Sequence, residues 1–145
     1  MAGLLLLAVL VGFVLPVQTG VNAQLRASLG HPIATALVSF GVGAVGLLIA
    51  ILFLRIPVPL ADAWARSSWW QWTGGLLGAI YIAAAIVLAP RVGAATLIAA
   101  IVGGQMVASL VLDHYGWVGF PEHPITGLRL AGAVLVMLGV ALIQR

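Results

Sequence analysis

Five apolar runs constrain this chain more than any other feature: about 3–25, 33–54, 72–89, 94–112 and 128–143. Each is close to the length of a bilayer-crossing helix, and turn chemistry separates each from the next. A helix needs roughly 20 apolar residues to cross a ~30 Å hydrocarbon core, so five crossings take about 100 of the residues and leave about 45 for connectors and ends. The breaks fall at Gly30-His31-Pro32, at Arg55 through Pro59, at Pro90 through Gly93 and at Gly116 through Pro124. The expected fold is therefore an all-α integral membrane protein, a single five-helix transmembrane domain over 1–145. The period-2 alternation of a membrane barrel is absent. Composition points the same way: 63% of residues are hydrophobic and 6% charged, against about a quarter charged in soluble domains, which excludes a soluble globular fold and a disordered chain. Val21-Asn22-Ala23 resembles a signal-peptide cleavage site, but Met1-Ala2-Gly3 carries no basic charge, and the first run is read as a retained helix.

The calculated pI of 10.7 rests on six scattered arginines and no lysine, so no basic patch for nucleic acid is expected, and the partner in view is membrane lipid. The absence of cysteine removes disulfides and thiolate chemistry. Five crossings put Arg55, Arg66 and Arg129 on one membrane face and Arg26, Arg91 and Arg145 on the other. Because the Lys/Arg bias of short loops sets orientation, an even division leaves insertion undecided. Chance balance in a chain with few charges is one reading. The other is dual topology, with copies inserting both ways and pairing as an antiparallel homodimer. Trp64, Trp69, Trp70 and Trp72 before the third run, and Trp117 in the last connector, read first as interfacial anchors and second as an aromatic platform for a substrate.

Polar side chains inside the runs are expensive in hydrocarbon and mark candidate sites. Gln18, Asn22 and Arg26 recur at four-residue steps just after Pro16, which predicts a polar stripe beside a kink. Gln105, Ser109 and Asp113 form a second stripe after Gly103-Gly104, Thr35 and Ser39 a thinner one extended by Gly43, and Tyr81 shares a face with Gly74 and Gly78. Interhelical glue is the better reading for Thr35, Ser39 and Ser109, whose short hydroxyls can bond their own helix. For Gln18, Asn22 and Gln105 a hydrated cavity is favoured, with Tyr81 as its gate or wall, Ser109 beside Gln105, and Arg26 available to an anionic group. No Asp, Glu, Lys or His lies in the middle third of any run, which argues against export of organic cations through an embedded carboxylate. Asp113 and His114 are the remaining candidates for proton coupling, with Glu122 and His123 in the following connector. Metal-ligand spacing, serine-hydrolase and phosphate-loop motifs are absent, so no enzyme, metal or cofactor is expected.

The order Gly12, Pro16, Gln18, Asn22, Leu25, then Gly30-His31-Pro32, then Trp72 through Ala79 with Tyr81, then Val92-Gly93-Ala94, Gly103-Gly104-Gln105, Ser109, Asp113-His114, Gly116 and Gly119 resembles the YdcZ-type, EamA-like branch of the drug/metabolite transporter superfamily. The resemblance covers essentially the whole chain and is most specific from Gly103 to His114. It implies a bacterial inner-membrane protein similar to one half of the ten-helix exporters, and a distant relative of the small multidrug resistance proteins, which assemble as antiparallel dimers. The first-helix glutamate of those relatives has no counterpart here; Gln18 and Asn22 occupy the stripe instead. The expected function is transport of a small neutral or weakly anionic metabolite by alternating access. The alternative is a flippase-like or accessory scaffold subunit.

Overall fold

A computed structural model of the chain describes residues 2–143, so Met1, Gln144 and Arg145, the last one of the six arginines counted above, lie outside the described residues. Among the described residues the structure is helical throughout: α1 (Ala2–Gly12), α2 (Val14–Leu29), α3 (Pro32–Leu54), α4 (Leu60–Arg66), a 3₁₀ turn at Trp69–Thr73, α5 (Gly74–Val92), α6 (Ala94–Tyr115), a 3₁₀ turn at Trp117–Gly119 and α7 (Gly127–Ile143). Four helical stretches are long and apolar enough to cross a membrane: Ala2–Leu29, Pro32–Leu54, Trp69–Val92 and Ala94–Tyr115. The fifth apolar helix, α7, has 17 residues, a length of about 26 Å.

The helix ends follow from local chemistry. Gly30 takes a left-handed φ of 75° and donates its amide to the Arg26 carbonyl at 2.8 Å, closing α2. His31 then caps α3 by accepting the Ile33 amide on Nδ1, and Pro32 fills the first helical position, where no amide is needed. Between α5 and α6 the break is Gly93 alone, at a φ of 82° that a side chain would strain.

The kink expected with Pro16 is present: the first run, one membrane-length stretch Ala2–Leu29, is interrupted at Phe13, one turn before Pro16, although Phe13 keeps helical dihedrals. A proline clashes with the carbonyl four residues earlier and offers it no amide, and that carbonyl belongs to Gly12, the last residue of α1. One expectation needs correction, and it concerns the other proline-containing span. The third run does not end at Ala89, and Pro90 does not open the following loop; α5 passes through Pro90 to Val92.

The chain divides into two compact units, Met1–Pro90 and Arg91–Arg145. In the first, α2 packs on α3, and Ala36, Ile82 and Ile86 form a small core flanked by Tyr81 and Ala83. A Cβ on Gly78 would stand 3.3 Å from the Phe40 ring, so this glycine serves a close contact with α3. In the second unit α6 packs on α7, and a Cβ on Gly103 would meet Met137 Sδ at 2.8 Å. Large apolar side chains otherwise point outward along every long helix, and from Phe40 to Leu54 on α3 no residue is buried. Such surfaces suit hydrocarbon as the surrounding solvent.

Candidate functional site

Interrupting the first span at Phe13 leaves α2 to begin the polar stripe afresh. Its residues then behave differently from one another. Thr19 is buried, and its hydroxyl donates to the Leu15 carbonyl at 2.9 Å, satisfying itself within α2. Thr35 on α3, with 0% exposure, does the same to the His31 carbonyl at 3.0 Å. Asn22 does not. It is 4% exposed, and its Nδ2 amide is buried with no hydrogen-bond partner. The Tyr81 hydroxyl is buried and unpartnered in the same way. A buried polar group left unmet costs about 1–3 kcal/mol, and native structures hold few of them, so each of these two groups is a candidate for a partner from outside the chain.

One turn from Asn22, half-buried Arg26 crosses to α5 and donates Nη1 to the Ile86 carbonyl at 3.2 Å. It has no carboxylate partner among the described residues, where the ion pair formed is Arg129–Asp113. One turn in the other direction, Gln18 lines a groove of about 320 Å³ with Ser39, Phe40, Gly43, Ala44 and Leu47 of α3. The first unit thus brings together Gln18, Asn22 and Arg26 along α2, and packs Tyr81 against the Ala36–Ile82–Ile86 core.

Gln105 and Ser109 belong to the second unit. Both are exposed, and they lie about 200° and 240° around α6 from Gly103, on the side away from α7. Asp113 and His114 are engaged. Asp113 pairs with Arg129 of α7, and its carbonyl accepts the His123 amide at 2.6 Å. His114 Nδ1 accepts the Ile125 amide at 3.2 Å, while Arg129 Nη1 donates to the His123 carbonyl at 2.6 Å. These bonds hold the 116–126 connector to the ends of α6 and α7. Sequence reasoning counted Arg129 only as a topological charge; an acid at the end of one helix and a base at the start of the next, across a proline-containing connector, was the available signal.

The Trp-rich connector is ordered by its own polar groups. The Ser68 amide donates to Gln71 Oε1 at 2.9 Å, Trp72 Nε1 donates to Ser67 Oγ at 2.8 Å, and the Trp64 and Trp72 rings lie 5.3 Å apart. Trp64, Trp69, Trp70 and Trp72 are all exposed.

Residues 3–142 match the model of the family described as "Putative inner membrane exporter, YdcZ". The chain is 38% identical over 77 residues to the inner membrane protein YdcZ of Escherichia coli (strain K12), an alignment that covers 53% of this chain and 51% of the relative. The match thus spans about half the length of that curated protein. No solved structure matches. The family is described as one of inner-membrane exporters and not of enzymes, its E. coli relative is an inner membrane protein, and several apolar helices of this chain are able to cross a membrane. On a match that runs nearly end to end, the chain belongs to the YdcZ family of the drug/metabolite transporter superfamily.

Proposed function

We propose that the protein transports a small neutral or weakly anionic metabolite by alternating access at the interface of an antiparallel homodimer. In this reading α7 is the fifth crossing and two inverted copies make a ten-helix transporter. The observation that carries the transport reading is the unmet Nδ2 of buried Asn22. It sits between the Gln18 groove and a guanidinium with no acidic partner among the described residues. If the first and third crossings run in the same direction, Asn22 and Tyr81 precede the Arg26–Ile86 contact by about 6 Å and about 7.5 Å along their helices, a common depth for both unmet groups. Amide and guanidinium hydrogens suit carbonyl or carboxylate oxygens on a solute. Gln105 and Ser109, exposed on α6, are the second unit's own candidates for contact with a solute.

Pairing of inverted copies has two supports. If the chain makes five crossings, its arginines divide evenly between the faces, and the 55–73 and 116–126 connectors, which hold all five tryptophans, share one face. The breaks at Gly30-His31 and Gly93, on the other face, hold none. Aromatic belts ordinarily mark both interfaces, and an antiparallel pair supplies one to each leaflet.

Solid-supported-membrane electrophysiology with a metabolite panel tests transport: charge movement by the native protein that Asn22→Leu removes supports the site. Two arginines added at one terminus are expected to bias insertion and abolish function unless an oppositely biased copy is co-expressed; single-molecule labelling that finds one orientation in the native sequence excludes dual topology. A second reading, a flippase-like or accessory subunit, draws on the Gln18–Ser39 groove, which is a surface feature between α2 and α3. Lipid-headgroup movement in proteoliposomes, without solute currents, favours that alternative.

A further inference from the structure

Pro90 lies inside α5, near its end, and has no amide to give to the carbonyl four residues earlier. That carbonyl belongs to Ile86, which is 0% exposed and out of reach of water. A buried carbonyl in this position is ordinarily a defect, yet here it is met from another helix: Arg26 of α2 donates Nη1 to it at 3.2 Å. We infer that Arg26 is a positioning residue that stands in for the missing amide of Pro90 and so ties the end of α2 to the last turns of α5.

Three features fit this role. Arg26 is half-buried and has no carboxylate partner among the described residues, so no ion pair competes for it. Its own carbonyl accepts the Gly30 amide, which fixes the turn of α2 from which the side chain extends. A charged donor to a carbonyl is among the stronger hydrogen bonds, strongest where water is excluded. The consequence for function rests on the transport reading. Asn22 lies one turn back on the same face of α2, so clamping Arg26 to α5 also fixes where Asn22 presents its amide. Proline and arginine then form one device, although they are 64 positions apart: the first empties an acceptor, and the second uses it to join two helices.

The pairing is tested without a solute. The full chain in lipid bilayers, labelled with ¹³C at isoleucine carbonyls and ¹⁵N at arginine guanidinium nitrogens, is measured by rotational-echo double resonance. Among the described residues Arg26–Ile86 is the arginine-to-isoleucine-carbonyl hydrogen bond, the other guanidinium contacts being to His123, Pro124 and Asp113. Dephasing is expected in the native chain and is expected to vanish in Arg26→Lys, which removes the labelled nitrogen. No dephasing in the native chain overturns the inference. The role of Pro90 is read by suppression. Arg26→Met lowers the thermal midpoint in mild detergent, Arg26→Lys keeps most of it, and Pro90→Ala, which restores the helix's own donor, abolishes the penalty of Arg26→Met. If Arg26→Met fails to fold, folding of the double variant supports the inference and its failure overturns it, as does an undiminished penalty in the Pro90→Ala background. Loss of solute currents in Asn22→Leu with dephasing intact bears on the transport reading and leaves this one standing.

Discussion

The polar face of α2 and the connector between α6 and α7 differ in one respect: the polar groups that hold the connector are met within the chain, and on α2 one buried amide is not. In the connector the groups consume one another: Asp113 takes Arg129 and the His123 amide, His114 takes the Ile125 amide, and Arg129 also reaches the His123 carbonyl. On α2 the small hydroxyl of Thr19 is satisfied, but Asn22 is buried and unmet. The difference separates polar residues that build structure from those left with unused valence. By this criterion Asp113 and His114, the natural candidates for proton coupling, have duties in holding a connector, and Asn22 is the residue whose presence the fold alone does not repay.

The largest effect that sharpens this contrast is expected at Asn22. Replacing an unmet buried amide by an apolar side chain of similar size is nearly neutral or stabilising for the fold, so Asn22→Leu is expected to retain or raise the thermal midpoint while transport falls more than about tenfold. A lower midpoint with transport preserved would instead make Asn22 a packing residue. Next, Asp113→Asn is expected to cost about 1–2 kcal/mol by opening the pair with Arg129, since the two side chains are 24% and 31% exposed and share a network. Amide exchange across 116–126 is expected to quicken, and the exchange of charges, Asp113→Arg with Arg129→Asp, to restore part of the protection. Proton-driven currents that disappear in Asp113→Asn with connector protection unchanged would transfer Asp113 from the structural region to the working one. The smallest effect belongs to Thr19→Val and Thr35→Val. Their hydroxyls bond their own helices, so each is expected to change stability by at most about 1 kcal/mol and to leave transport alone.

Much of the architecture was legible because bilayer length and turn chemistry are local. Gly30-His31-Pro32 announces a stop, a cap and a start, and the structure uses each residue in that order. Gln18, Asn22 and Arg26 share a face because helices repeat every 3.6 residues. The features that escaped involve partners distant in sequence or effects displaced from their cause. Pro16 is not among them: a proline clashes with the turn before it, and the interruption expected there falls at Phe13. Pro90 read as the start of a loop, because nothing in its neighbourhood announces that an arginine 64 residues earlier meets the carbonyl it frees. The Asp113–Arg129 pair crosses a connector, where no periodicity applies. Which hydroxyls would close on their own helix and which amide would stay unmet also depended on burial, which a one-dimensional pattern does not report.

The placement of the indoles has an optical consequence. All five lie in α4 or the connectors, four of them clustered with Trp64 against Trp72, and Trp117 stacks on Tyr115 with ring centroids 4.9 Å apart. None is on α2. Tryptophan emission, excited selectively, is therefore a native reporter of α4 and the connectors, without any introduced dye, and carries no probe on the Asn22 face. A shift in emission or in quenching by brominated lipid on adding a solute would register movement of the connectors, so the protein's own light distinguishes a solute that changes its conformation from one that merely occupies it.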